Sequence, residues 1–208
     1  VYGRQRVSGA VVFMETSTKS RYLHIIVAIS GNELNAISEI YFNDKPLTLD
    51  SNGFVTAPSQ FVDKAIIKTA QEHLDVATLG AVSWSDTSLL NGIGHIYARI
   101  EYDTDAYPNG IPNISAVVEG KKLFDPRTSA TSYSKNSALV LRDYLTNDDY
   151  GLGASSSEID DASFIAAANV CDENVSLAAG GTEKRYESHG VVDTALPPKQ
   201  IIEEMLSA

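Results

Sequence analysis

Cysteine is almost absent: Cys171 stands alone in 208 residues. One cysteine closes no internal disulfide and builds no zinc site by itself. The stretch Ala166 to Glu173 reads as a helix ending in acid, and Asp172 and Glu173 offer none of the positive charge that activates a thiolate. Cys171 is therefore expected to be a small buried residue. Long apolar runs are absent too. The longest, Leu23 to Ile29, is interrupted by His24 and followed by Ser30 and Gly31. A membrane-spanning helix needs roughly 20 apolar residues, so this run reads as a buried strand. Basic residues are few: 16 Lys and Arg against 27 Asp and Glu leave a net charge of −11. A grip on nucleic acid needs clustered cations to displace counterions, and this balance argues against one. It is compatible with a wall that nucleic acid slides past, which should repel phosphate, while the common role of an acidic surface is solubility. The chain opens at Val1 without Met or signal-peptide pattern and closes at Ala208 within a helix-like stretch. Both ends read as those of an excised piece of a longer polypeptide.

Signatures of chemistry are also wanting. His24, His73, His95 and His189 are scattered, with no second His or Cys at metal-ligand spacing. No Gly-x-Ser-x-Gly elbow occurs. Asp103, Asp105, Asp125, Asp148, Asp149, Asp160 and Asp161 read as turn and helix-end acids. The run Asp148-Asp149-Tyr150-Gly151 lacks the alternating Asp/Asn and closing Glu of a calcium loop. Gly151-Leu152-Gly153 follows a helix and lacks the third glycine of a dinucleotide loop. Asn113-Ile114-Ser115 and Asn174-Val175-Ser176 match the glycosylation sequon, a short pattern common by chance. No residue is assigned as catalytic, cofactor-binding or metal-binding, no cofactor is expected, and the chain is not read as an enzyme.

What is present is β-rich at first and helical later. Val7 to Glu15, Arg21 to Ile29 and Ile40 to Phe42 resemble an antiparallel meander, with Asn43 to Pro46 as a turn. Phe61 to Ala70 fits a helix, through Val62, Ala65, Ile66 and Thr69, or a strand, which is preferred, and Ser85 to Asn91 reads as a loop anchored by Trp84. Alternation over Ile96 to Tyr102 places Ile96, Ala98, Ile100 and Tyr102 on one face. Asp103 to Pro112 is rich in turn residues, and Ile114 to Val118 and Lys121 to Phe124 are strands. Thr128 to Lys135 reads as a polar linker. Asn136 is suited to cap a helix carrying Ala138, Leu141, Tyr144 and Leu145. Ser155 to Glu158 resembles a capping box for a helix whose apolar face is Ile159, Phe164, Ala167, Ala168 and Cys171. Lys184 to Glu187 and Gly190 to Asp193 suggest a hairpin, and Pro197-Pro198 opens a last helix through Leu206. The fold class is α+β, predominantly antiparallel β of hub or barrel type, with a helical segment after the β-domain.

Five stretches, in order, resemble one family. Val1-Tyr2-Gly3-Arg4-Gln5-Arg6-Val7-Ser8-Gly9 resembles a Y-G-R-x-R-V-x-G pattern. Gly110-Ile111-Pro112-Asn113-Ile114, with Val118 to Arg127, resembles G-x-P-x-I followed by V-x-G-[KR]-x-[VL]-[YF]-D-P-R. Asn136 to Thr146 with Tyr150-Gly151-Leu152-Gly153 resembles N-P-A-x-x-x-x-D-Y-L and Y-G-[LM]-G, with Ser137 where proline is usual. Ile159 to Glu173 matches the helix that follows, and Arg185, Tyr186, Gly190 and Asp193 lead into the helix after Pro197. The family is that of siphophage tail tip proteins, also called host specificity, tip attachment or central tail hub proteins. The resemblance implies a virion structural component of phage or prophage origin, assembled in the bacterial cytoplasm. It implies a homotrimer closing the tail tube, joined to tail-tube and other tail-tip proteins. The tape-measure protein and then DNA would occupy the lumen without specific binding, and no membrane insertion is expected. The implied domains are a hub domain over 1–127, with 45–90 as an insertion, a helical segment over 128–182, and the start of a further hub domain over 183–208. Arg4 and Arg6 are candidates to cross subunits. Two other readings are a receptor- or carbohydrate-binding module, with Tyr102, Tyr107 and Tyr133 as candidate aromatics, and a cell-wall hydrolase.

Overall fold

A computed structural model describes residues 1–81, 83–85 and 87–207. It shows an α+β chain with antiparallel strand pairing in every register it gives and three helices in the C-terminal part. The chain divides into two compact units, residues 6–118 and residues 1–5 with 119–208. Among the described residues no helix is long and apolar enough to cross a membrane.

The first unit is built on strands β1 (Arg4–Ser8), β2 (Ala10–Ser17), β3 (Tyr22–Ala28), β4 (Ala36–Phe42), β5 (Lys45–Pro46), β6 (Thr48–Leu49), β7 (Val55–Ala57), β8 (Ala65–Ala70), β9 (His95–Glu101) and β10 (Ile114–Glu119). They form two open four-stranded sheets, ordered β1-β10-β4-β5 and β2-β3-β9-β8, with β6 and β7 pairing separately. Register in the second sheet aligns Met14, Ile25, Ala98 and Ile67 in one row. A strand covered on both faces reads as a continuous apolar run and not as an alternation. That holds for His24 to Val27 and for His95 to Ala98, all buried.

The expected one-sided alternation of β9 is thus corrected. Tyr97 and His95 are as buried as Ile96 and Ala98, because Val76, Ala81 and Trp84 pack against Ile26 and Tyr97. Tyr102 falls beyond the strand and is 77% exposed. Phe13 meets Trp84 edge-on at 5.2 Å, so the tryptophan does anchor its segment. Of the expected loop Ser85 to Asn91, Asp86 lies outside the described residues, and the others carry no helix or strand. The Phe61 to Ala70 stretch splits, Ser59–Phe61 forming a single 3₁₀ turn before β8.

The second unit holds strands β11 (Lys122–Asp125) and β12 (Ala130–Tyr133), helices α1 (Ser137–Thr146) and α2 (Asp161–Cys171), strands β13 (Asn174–Ser176) and β14 (Thr182–Lys184), and helix α3 (Pro198–Leu206). The stretch read as a linker contains β12, which pairs Ala130 with Asp125 and Tyr133 with Lys122. Polarity misled there because the hairpin stands mostly exposed, so its pattern carries no apolar signal. Asn136 caps α1, its side-chain oxygen accepting from the amides of Ala138 and Leu139. Ser155 and Glu158 bond each other in a turn, but the N-cap of α2 is Asp160, which accepts from the Ala162 amide. Residues 184–193 do not fold back on themselves. β14 pairs with β13, Gly190 bridges to Tyr2 and Glu187 bridges to Asn136. The helix after Pro197 forms with Pro198 in its first turn, where a missing N–H costs nothing. The unit's core joins Tyr2, Leu123, Ala138, Leu139, Val140, Ala168 and Cys171.

Candidate functional site

The histidines occupy separate settings. His24 is buried between the Ser17 hydroxyl, 2.7 Å from Nε2, and the Tyr97 hydroxyl, 2.8 Å from Nδ1. His95 is buried with Nδ1 2.9 Å from the Ile93 carbonyl oxygen. Burial holds both imidazoles below their usual range. His189 accepts from the Arg4 amide at 2.9 Å. Among the described residues no three His, Cys, Asp or Glu side chains gather as a metal group. The candidate aromatics also stay apart in role. Tyr107 stacks on Phe61 at 5.4 Å, Tyr133 belongs to the β11–β12 hairpin, and Tyr102 is exposed. Arg6, a candidate subunit contact, is engaged within its own unit. It donates to Ser115 at 3.1 Å, pairs with Asp44 at 3.1 Å and lies 4.0 Å over the Tyr41 ring.

The acids do local work. The Asp103 carboxylate accepts the amides of Asp105 and Ala106 and pairs with Lys64 at 3.0 Å; the Ala106 amide first, then Lys64, holds it below its usual range. Asp161 pairs with Arg142 at 2.8 Å.

The sequence stretches singled out as motifs converge in the second unit. Tyr2 donates to Asp143 Oδ2 at 2.6 Å, and Tyr150 donates to the same oxygen at 3.0 Å. Lys121 donates to the Tyr150 hydroxyl at 2.9 Å and pairs with Asp143 Oδ1 at 3.0 Å. Three donors, Tyr2, Lys121 and Tyr150, thus share the one carboxylate that α1 presents from its last turn. Charge-assisted bonds of this kind are the stronger ones. Burial, with Asp143 adding to it, pushes the Tyr2 and Tyr150 hydroxyls above their usual range. Burial works against a charged Lys121, but Tyr150 and Asp143 outweigh it and raise the ammonium above 10.5. Both phenols stay protonated and the lysine stays charged at neutral pH. The cluster clamps three chain segments together.

Backbone contacts extend the clamp. The Tyr2 amide donates to the Gly190 carbonyl at 2.9 Å, and Gly190 returns a bond at 3.1 Å. A Cβ on Gly3, whose φ is +61°, would lie 2.2 Å from the Ser188 carbonyl oxygen. A Cβ on Gly151 would lie 1.9 Å from the Tyr144 carbonyl oxygen. Glycine is needed at both for close backbone approach. The Asp125-Pro126-Arg127 stretch has its own role. Arg127 forks onto both Asp125 oxygens at 2.9 and 2.7 Å and reaches Asp172 at 2.7 Å and Asn169 at 3.2 Å. A cation at the C-terminus of α2 also suits the helix dipole. Nothing in residue spacing foretold that Tyr2, Lys121, Asp143 and Tyr150 meet; order in the chain was the only available signal.

Beside the clamp, Tyr2, Val140 and Ile201 line a cleft of about 310 Å³ rimmed by Glu187, Asp193 and Glu204.

Comparison with known proteins gives one relative by sequence. The chain is 32% identical over 125 residues to the tip attachment protein J of Escherichia phage SECphi27. The match takes in 52% of this chain and 10% of that protein, so the chain spans about a tenth of the curated relative's length. Homology to a phage tip attachment protein over part of the chain therefore stands. No protein-family model matches. Among solved structures, a chain from the virion of a native gene transfer agent particle aligns at a TM-score of 0.38 and 15% identity. It covers 57% of this chain and 25% of that one, a likeness too slight to establish a shared fold.

Proposed function

We propose that the chain is a structural, non-catalytic segment of a phage or prophage tail tip. In this reading it forms part of a trimeric hub that closes the tail tube and connects it to receptor-contacting regions. Its partners are two further copies of itself, tail-tube and other tail-tip proteins, and the tape-measure protein. DNA passes without being held. The observation that carries the reading is the 32% identity over 125 residues with a tip attachment protein. The clamp supports it, because Tyr2, Lys121, Asp143 and Tyr150 spend their polar groups on holding segments together and leave no free reactive group. The net charge of −11 fits a lumen that repels phosphate.

Light scattering of the purified protein, alone and mixed with its tail-tube protein, tests the assembly. A mass of three copies in either sample is the expected result. A single-copy mass in both, across the concentration range, overturns the trimeric hub.

A further inference from the structure

We propose that the compact cleft beside Gly110, Ile111 and Pro112 binds one ring of a neutral sugar. This stretch belongs to a motif yet takes no part in the clamp. The cleft holds about 270 Å³, just below the usual span of small-molecule sites, which leaves room for a single ring only. Its apolar side is formed by Phe61, Tyr107, Pro108 and Pro112. The Phe61 and Tyr107 rings stack with centroids 5.4 Å apart, and Phe42 meets Phe61 edge-on at 5.3 Å. With Phe61 and Pro112 buried behind them, the half-buried Tyr107 ring and the exposed Pro108 offer apolar surface to the C–H face of a sugar.

The polar side is formed by three amide side chains, Asn43, Gln60 and Asn109. An amide both donates and accepts, as a sugar hydroxyl does. Among the described residues no carboxylate lines the cleft, which disfavours a cation. The charged Lys45 in its lining donates to Gln60 Oε1 at 2.6 Å. The chemistry selected is therefore uncharged, hydroxyl-rich and apolar on one face. The walls are held before any ligand arrives. The Asn43 amide donates to the Asn113 carbonyl at 2.7 Å, Asn113 donates back to Asn43 Oδ1 at 3.0 Å, and Gly110 donates to the Tyr107 carbonyl at 3.0 Å. A proline-rich peptide would use similar walls but needs an extended groove for its helix, and this cleft is compact.

The site is read on the isolated chain, so it stands or falls independently of trimer assembly. The test is titration of the ¹⁵N-labelled chain with methyl β-glucoside, methyl β-galactoside and N-acetylglucosamine, with a hexaproline peptide as comparison. Saturable shifts at Tyr107, Asn109, Gly110 and Ile111 with at least one sugar are expected. Asn109→Ala and Gln60→Ala, both exposed positions, should each weaken that binding about tenfold through lost hydrogen bonds while the rest of the spectrum is unchanged. No saturable shift with any of the three sugars overturns the proposal. So does binding that neither variant weakens, or a response to the peptide alone.

Discussion

Asp143 accepts from Tyr2 and Tyr150 and pairs with Lys121. Removing an acceptor is costlier than a lost bond, because the donors left behind stay partly buried. Asp143→Ala should therefore destabilise the chain by about 2–3 kcal/mol, a figure already discounted for the partial exposure of Lys121. Urea unfolding would show it as a lower midpoint at unchanged slope. Asp143→Asn keeps one acceptor and should cost less. If the alanine variant unfolds at the wild-type midpoint, the clamp contributes nothing to stability. Arg6 teaches a related lesson at this scale. An arginine that looks available for a partner in the sequence is already held by Ser115, Asp44 and the Tyr41 ring.

At the scale of elements, Asn136 joins two helices. Its oxygen caps α1, and its amide donates to the Ala168 carbonyl of α2 at 2.9 Å. The residue is buried, so neither bond is readily replaced by water. Asn136→Ala loses both and should cost about 2 kcal/mol. Asn136→Asp keeps the cap and loses only the donor, so thermal unfolding should place it between the wild type and the alanine variant. Equal melting temperatures for the two variants would mean the cap adds nothing. The β11–β12 hairpin is tied to α2 in another way, through the bidentate Arg127 fork on Asp125 and its reach to Asp172. The two devices give the α2 helix, which buries Ala168 and Cys171, polar anchors at its C-terminal end.

For the molecule as a whole, acid is the expected weakness. His24 and His95 are both depressed, burial being the largest cause for each. Around His24 stand Ser17, Tyr97, Glu15, which favours the charged ring, and Arg99, which opposes it. A depressed imidazole takes its proton more readily in the unfolded chain, so the unfolded state binds more protons as pH falls below the ordinary 6.5. Stability should be full above that value and decline below it. Asp125, held low chiefly by Arg127, adds a second loss at lower pH, as pH falls through the depressed carboxyl value. Urea midpoints should stay level from about pH 8 to about pH 6.5 and fall from there down to about pH 5. His24→Gln should lower the plateau and flatten the slope. A midpoint constant over that range would mean the buried rings titrate as they do in water.

Much of the plan was written locally. The apolar run at Leu23 to Ile29, the cap at Asn136 and the proline pair before α3 each act through neighbours in sequence, and each element formed where its signal lay. The α+β class followed from that order of elements. What the chain order could not carry was cover and convergence. The second face of β9 is buried at Tyr97 because Val76, Ala81 and Trp84 pack against it. Gly190 meets Tyr2, 188 positions away in sequence, and not the strand nearest to it. These outcomes depend on contacts between distant segments, whose free energy is set by three-dimensional packing and carries no periodicity along the chain. The sequence by itself determined the class, the elements and the acidic character. Only the tertiary structure decided that Tyr2, Lys121, Asp143 and Tyr150 form one clamp, because a shared carboxylate is visible only once the segments bearing its donors have packed around it.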